Sequence, residues 1–241
     1  MPSRPFPADF PPEWPTPTVH DNPPWTQWGP LPGQLFRAFS EASHAEVFLG
    51  GQVRIGNQQY YADTASPDRL DRSEGCFVVG SPPERRSDSI DPVPGPVAQC
   101  EFAGPRYILC LSPQPPRQYG RFVVCIHDPK ALFTRLAQRC ATFPREPAEM
   151  QTGPVHYEDQ IRTASESPSG GFASHGIAFR KPARFAPDQE YRAVFDLPSG
   201  YLRGKHTDAA SAAAPFSHLD YPNHTPLSIG ALHDIAHLMP T

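Results

Sequence analysis

Residues 179–195 read FRKPARFAPDQEYRAVF, and the last six of them decide the fold. A strand alternates its side chains with a period of two, so Tyr191, Ala193 and Phe195 share one face while Glu190, Arg192 and Val194 share the other. An aromatic and alanine face of this kind is a core face. The opposite face opens on a carboxylate two residues from a guanidinium. That pair is either a solvated cross-strand pair or the floor of a cleft where a carboxylate does chemistry.

Working outward, the chain has 241 residues, enough for one sizeable core, and is unusually rich in proline, with 33. The prolines concentrate in residues 2–32, 82–96 and 113–116, where they exclude long helices and central strands and predict coil or polyproline II. Residues 1–33 therefore read as an arm, yet one carrying Phe6, Phe10, Trp14, Trp25 and Trp28. Such an arm belongs in a groove on the domain or on a partner. Residues 34–241 read as a single domain.

Near-continuous apolar runs at 106–112 and 121–127 predict strands buried on both faces. Residues 34–39 and 52–61 predict two earlier strands, separated by a helix that Ser40 caps and Gly50-Gly51 ends. Asp128-Pro129 starts a second helix with Leu132, Phe133, Leu136 and Cys140 on its buried stripe. Residues 154–157 predict a short strand, 64–75, 80–96 and 165–171 loops, and 229–238 a closing helix. Strands outnumber helices, so the expected class is α+β, with mixed or antiparallel sheets, few helices and a proline-rich N-terminal arm.

The formal charge of −4 argues against nonspecific binding to nucleic acid. Cys76, Cys100, Cys110, Cys125 and Cys140 are odd in number and lack CxxC spacing, which predicts free, largely buried thiols and a reducing compartment. No leader and no membrane span is expected. The protein is expected in the cytoplasm, or delivered into a target cell's cytoplasm without a cleavable signal.

Three polar features lie in or beside predicted strands, in the chain order Arg37, then Tyr60-Tyr61, then Glu190. Leu35-Phe36-Arg37-Ala38-Phe39, followed by a helix and Gly-Gly, resembles the opening of the ADP-ribosyltransferase fold. The resemblance implies that NAD is the substrate and that Arg37 holds its ribose or phosphate. It further implies that Tyr60 or Tyr61 stacks on nicotinamide and that Glu190 bonds a ribose hydroxyl, with Arg192 keeping Glu190 ionised or touching a phosphate. A glutamate suits that chemistry because breaking the glycosidic bond develops oxocarbenium charge. A neutral isostere, Glu190→Gln, is then expected to keep the fold and abolish activity.

A second resemblance covers roughly residues 35–196. Phe36-Arg37, Arg69-x-Asp71-x-x-Glu74-Gly75, Leu109-Cys110-Leu111-Ser112, Gly120-Arg121-Phe122-Val123-Val124, Val155-x-Tyr157, Lys181 and Gln189-Glu190-Tyr191-Arg192 resemble an uncharacterised bacterial domain family that closes on Glu-x-Glu-[Trp/Tyr]-Arg. That family often sits beside defence or toxin genes, which implies a toxin or defence effector with an immunity or antitoxin partner. Two departures stand out: no Asn precedes Asp71, and the first acid of the closing pair falls at Asp188.

Other chemistries remain open. Asp71, Glu74 and Glu190 could assemble a magnesium-dependent nuclease site. His233 and His237 would sit at i and i+4 on the closing helix, the spacing of a zinc pair, with His224 or His218 as third ligand. The chain could also be a non-catalytic binding module. The expectation taken forward is an NAD-cleaving transferase that needs no metal, with a protein or nucleic acid as acceptor.

Overall fold

A computed structural model describes residues 18–57, 76–80, 97–101, 106–143, 148–158, 178–197 and 224–240. The strands, numbered in chain order, are β1 (Thr18–Asp21), β2 (Pro24–Gln27), β3 (Leu35–Phe39), β4 (Gln52–Asn57), β5 (Cys76–Gly80), β6 (Val97–Glu101) and β7 (Arg106–Leu111). They continue with β8 (Phe122–Ile126), β9 (Glu149–Pro154), β10 (His156–Glu158), β11 (Arg180–Pro182), β12 (Tyr191–Asp196), β13 (His224–Ser228) and β14 (Ala236–Leu238). Among the described residues the α-helices are α1 (Ala42–Leu49) and α2 (Pro129–Ala141).

A seven-stranded sheet runs β1-β2-β9-β12-β7-β4-β13, and a three-stranded sheet runs β14-β8-β3. β10 with β11 and β5 with β6 form two-stranded ribbons. β2 meets β9 and β10 meets β11 in parallel, while β12 is antiparallel to both β7 and β9. The class is α+β, with sheet predominating.

The alternation along β12 explains the layering. Tyr191, Ala193 and Phe195 enter the main core, which α2 covers with Leu132, Phe133, Leu136, Ala137 and Cys140. The Phe133 ring lies 5.9 Å from that of Tyr191. Burying each aromatic removes about 1.5–3 kcal/mol worth of apolar surface from water. Helix α2 starts as its sequence dictates: the Asp128 carboxylate accepts from the Ala131 amide at 2.9 Å, and Pro129 takes a first-turn position.

The other face of β12 is buried too. Val194 packs with Ile108, Trp28, Ala178 and Phe179, so the strand is closed in by the segment that precedes it in sequence.

The three-stranded sheet contributes Leu35, Val124 and Ile126 to the same main core. Among the described residues a backbone bridge joins the two sheets, where Phe36 and Ser112 exchange both hydrogen bonds at 2.7 and 3.0 Å. Past that bridge β3 pairs with β8 and β7 pairs with β12 and β4, so β3 and β7 diverge and leave a wedge between the sheets.

Several expectations are corrected. Residues 18–27 are not coil or polyproline II but the β1–β2 hairpin, and β2 joins the large sheet through Thr26 and Gln27 against Gln151 and Thr152. The prolines are compatible because Pro23 lies in the turn and Pro24 starts its strand. The closing helix at 229–238 is absent: Ile235 and Ala236 donate to the Leu232 carbonyl in a single turn, after which β14 pairs with β8. Ladder partners on the open edge of β8 win over a local helical period.

Glu41, without a side-chain cap bond, occupies the N-cap expected of Ser40. Helix α1 does end at Gly50-Gly51, because Gly51 has φ +88° and an added Cβ would lie 1.9 Å from the Gly230 carbonyl oxygen. The second expected strand is present as β4 over Gln52–Asn57, and its expected residues 58–61, the loops expected at 64–75 and 165–171, and residues 81–96 of the third loop lie outside the described residues. β9 was not anticipated, because its Glu-Met-Gln-Thr-Gly-Pro sequence has little apolar alternation.

Candidate functional site

The wedge holds a pocket of about 190 Å³. Phe36, Arg37 and Ala38 of β3 form one wall, and Ile108, Cys110 and Leu111 of β7, with Ser112, form the other. Lys181, Asp188, Glu190 and Arg192 close it on the side of β12, and Tyr119 stands at its edge. The backbone adds polar groups. Since Phe36 turns its amide and carbonyl toward Ser112, the strand period points those of Ala38 into the wedge.

Glu190 is held by two cations. Lys181 donates to its Oε1 at 2.6 Å, and Arg192 donates through Nε to its Oε2 at 2.8 Å. The side chains are nearly enclosed, with exposures of 1% for Arg192, 9% for Lys181 and 12% for Glu190. Arg192 also donates through Nη1 to the Ala178 carbonyl at 2.6 Å, and the Lys181 ammonium lies 4.6 Å from the Phe185 ring centre. Buried charge survives only when paired and hydrogen-bonded, and this trio satisfies both demands. The solvated cross-strand reading of the pair is thereby overturned.

The backbone of Glu190 is clamped as well. Its amide donates to the Tyr157 hydroxyl at 2.8 Å, and its carbonyl accepts from the Val155 amide at 2.9 Å. Gln189 just before it has φ 46°, a left-handed conformation that costs a side-chain-bearing residue about 1–2 kcal/mol and is offset by these bonds. Asp188 accepts from the Tyr119 hydroxyl, and its carbonyl accepts from Ser112 Oγ at 3.4 Å.

Burial pushes the Glu190 carboxyl up, but the charges and hydrogen bonds of Arg192 and Lys181 outweigh it and bring the value to about 2, against an ordinary 4.5. The Tyr157 phenol is raised by burial first and then by Glu190, so it stays protonated. His224 is lowered to about 4 by burial and by Arg54 and Arg37, and is neutral at neutral pH. Cys140 is pushed up to about 12 by burial, and Cys125 is raised by the same cause, which makes both inert thiols.

The Glu190 shift has a thermodynamic consequence. Because its folded value lies below the unfolded one, the unfolded chain binds the extra proton, so the contribution is complete above about pH 4.5 and lost as pH falls toward 2. The gap corresponds to about 3 kcal/mol. Urea unfolding between pH 5 and pH 2.5 should show the wild type losing stability more steeply than Glu190→Gln. Equal slopes would mean that Glu190 is not held by the two cations.

Of the residues singled out from the sequence, Arg37, Glu190 and Arg192 meet at this pocket. Arg37 lines it from β3, with its guanidinium donating to the Arg54 carbonyl at 3.0 Å and lying 5.5 and 5.4 Å from the Phe39 and Phe48 ring centres. Tyr60, Tyr61, Asp71, Glu74 and His218 lie outside the described residues. The zinc pair is corrected. His233 is in a turn and His237 in β14, so no helix holds them at i and i+4, and the His127 ring lies 5.8 Å from that of His237. Lys181 and Tyr157 gained no role from residue-level reading, although both fall in the motif order that resembles the bacterial domain family.

Among the described residues no helix is long and apolar enough to cross a membrane. Compared with known proteins, the chain matches no protein-family model, no curated protein and no solved structure.

Proposed function

We propose that the chain is an ADP-ribosyltransferase-like enzyme that cleaves NAD and transfers ADP-ribose to a macromolecular acceptor, working as a toxin or defence effector countered by an immunity or antitoxin partner. One observation carries this reading: an arginine of the first core strand and a glutamate at the head of a late strand line the same wedge between two sheets. Glu190 has two of its carboxylate lone-pair positions taken and others left, so it can still accept from a ribose hydroxyl. Its negative charge beside the ribose favours the developing oxocarbenium ion. Arg37, a lining residue of the wedge whose guanidinium donates to the Arg54 carbonyl, would bind a phosphate or ribose oxygen with its remaining donors. The Ala38 peptide edge offers a donor and an acceptor to a planar amide such as that of nicotinamide.

A metal-dependent nuclease fits the carboxylate less well. Glu190 is already neutralised by two buried cations, and a magnesium ion would have to displace both.

The test is release of nicotinamide from NAD by the purified protein. Wild type should release it at the same rate with and without EDTA, and Arg37→Gln should lower kcat/KM about 10- to 100-fold. No release by wild type, or loss of activity on chelation, would overturn the proposal.

A further inference from the structure

We infer that the β10–β11 ribbon is the positioning element of the proposed reaction, and that Tyr157 and Lys181, one from each of its strands, are the positioning residues that aim the Glu190 carboxylate. The inference rests on the NAD-cleaving reading above and deepens it. Glu190 stands just ahead of β12, whose first registered pair with β9 is Tyr191 with Pro154. Past that pair the chain leaves the large sheet at Val155 and enters β10, which runs parallel to β11 with Tyr157 in register with Lys181. Residues in register on neighbouring strands project to the same face, so the phenol and the ammonium reach the same neighbour. Tyr157 takes its main chain, accepting from the Glu190 amide at 2.8 Å, and Lys181 takes its side chain, donating to Oε1 at 2.6 Å. Arg192 reaches the second oxygen from β12 at 2.8 Å and ties its Nη1 to the Ala178 carbonyl near the entry to β11. The carboxylate is thus held between its own strand and the ribbon.

The two residues do different work. A carboxylate stabilises a developing oxocarbenium ion only from the right place, and a misplacement of about 1 Å can cost on the order of 100-fold in rate. Tyr157 fixes place: with Gln189 left-handed at φ 46°, the amide that follows is met by the phenol. Loss of that bond weakens an interaction made in the transition state, so it lowers kcat and leaves KM. Lys181 fixes charge as well. Burial raises the Glu190 carboxyl, and the charges of Arg192 and Lys181 lower it. The other ionisable groups near it among the described residues are Tyr157 on β10, Asp188 in the turn before it and Arg37 across the wedge.

The experiment follows nicotinamide release by the full-length protein across NAD concentration and pH, for wild type, Tyr157→Phe, Lys181→Met and Lys181→Arg. Tyr157→Phe should lower kcat about 10-fold with KM for NAD within about twofold of wild type, and its pH profile should run parallel to the wild type's. Lys181→Met should lower kcat and move the acid limb upward. With one cation gone the Glu190 carboxyl takes up its proton at higher pH, so the rate relative to wild type should fall about threefold further between pH 7 and pH 4.5. Lys181→Arg keeps the charge and should return the acid limb to within about twofold of wild type. Tyr157→Phe keeps the ring and decides the matter if Lys181→Met does not fold. An unchanged kcat for Tyr157→Phe, a loss confined to KM, or an acid limb that Lys181→Met leaves in place would overturn the inference while leaving the NAD reading intact. No nicotinamide release by wild type would overturn both.

Discussion

Glu190→Gln is expected to lose both activity and stability, and the two losses can be separated. In the proposed reaction the carboxylate stabilises the oxocarbenium ion, so its neutral isostere should lower nicotinamide release on the order of 100- to 1000-fold. The same change strands Lys181 and Arg192, at 9% and 1% exposure, without their counter-charge. Removing one partner of a buried ion pair costs roughly 3–5 kcal/mol, so the isostere does not leave the fold untouched, contrary to what the strand pattern alone suggests. Adding Lys181→Met removes one stranded cation. The double variant should recover part of the lost stability, with non-additivity of about 1–3 kcal/mol, and should recover no activity. Urea unfolding and nicotinamide release on the three variants make the check. Simple additivity in stability would mean that the two residues do not interact, and wild-type turnover by Glu190→Gln would remove the carboxylate from the chemistry.

Trp28→Ala should be among the most damaging core substitutions. The indole packs on Ile108, Phe179 and Val194 and donates Nε1 to Gln151 at 2.9 Å. It also lies so close to Gly153 that a Cβ there would meet the Trp28 Cβ at 3.0 Å. Truncating a buried tryptophan costs about 3–5 kcal/mol, which for a chain of this size lowers Tm by roughly 10 °C. Trp25, stacked on His20 at 4.0 Å and tilted against Phe133 at 5.7 Å, anchors the same hairpin. Both indoles should be shielded from iodide in the native protein. Free quenching of both, or an unchanged Tm for Trp28→Ala, would mean that the hairpin is not part of the sheet.

What could be read in advance follows the range of the forces involved. Local signals were legible: the Asp128 cap and Pro129 start of α2, the glycine stop of α1, and the alternation through Tyr191, Ala193 and Phe195. The side that Glu190 and Arg192 share was legible for the same reason, since two residues along a strand fix it. Their burial was not. It depends on Lys181 and Phe185, which a 3-10 turn over 183–188 folds back against the head of β12, and on Tyr157, brought in by the parallel pairing of β10 with β11.

The β1–β2 hairpin was masked by its prolines, whose positions in a turn and at a strand start carry no ladder penalty. His233 and His237 show the reverse error. A four-residue spacing read as helical belongs to a segment that the open edge of β8 draws into a strand.

Occupancy of the wedge between β3 and β7 by NAD decides the NAD-cleaving proposal. A crystal structure with a carbocyclic, non-cleavable NAD analogue tests this directly. The expected result is the nicotinamide end against Phe36 and the Ala38 peptide edge, with a ribose hydroxyl about 3 Å from the Glu190 carboxylate. An analogue bound elsewhere on the chain, or absent from the wedge at saturating concentration, would contradict it.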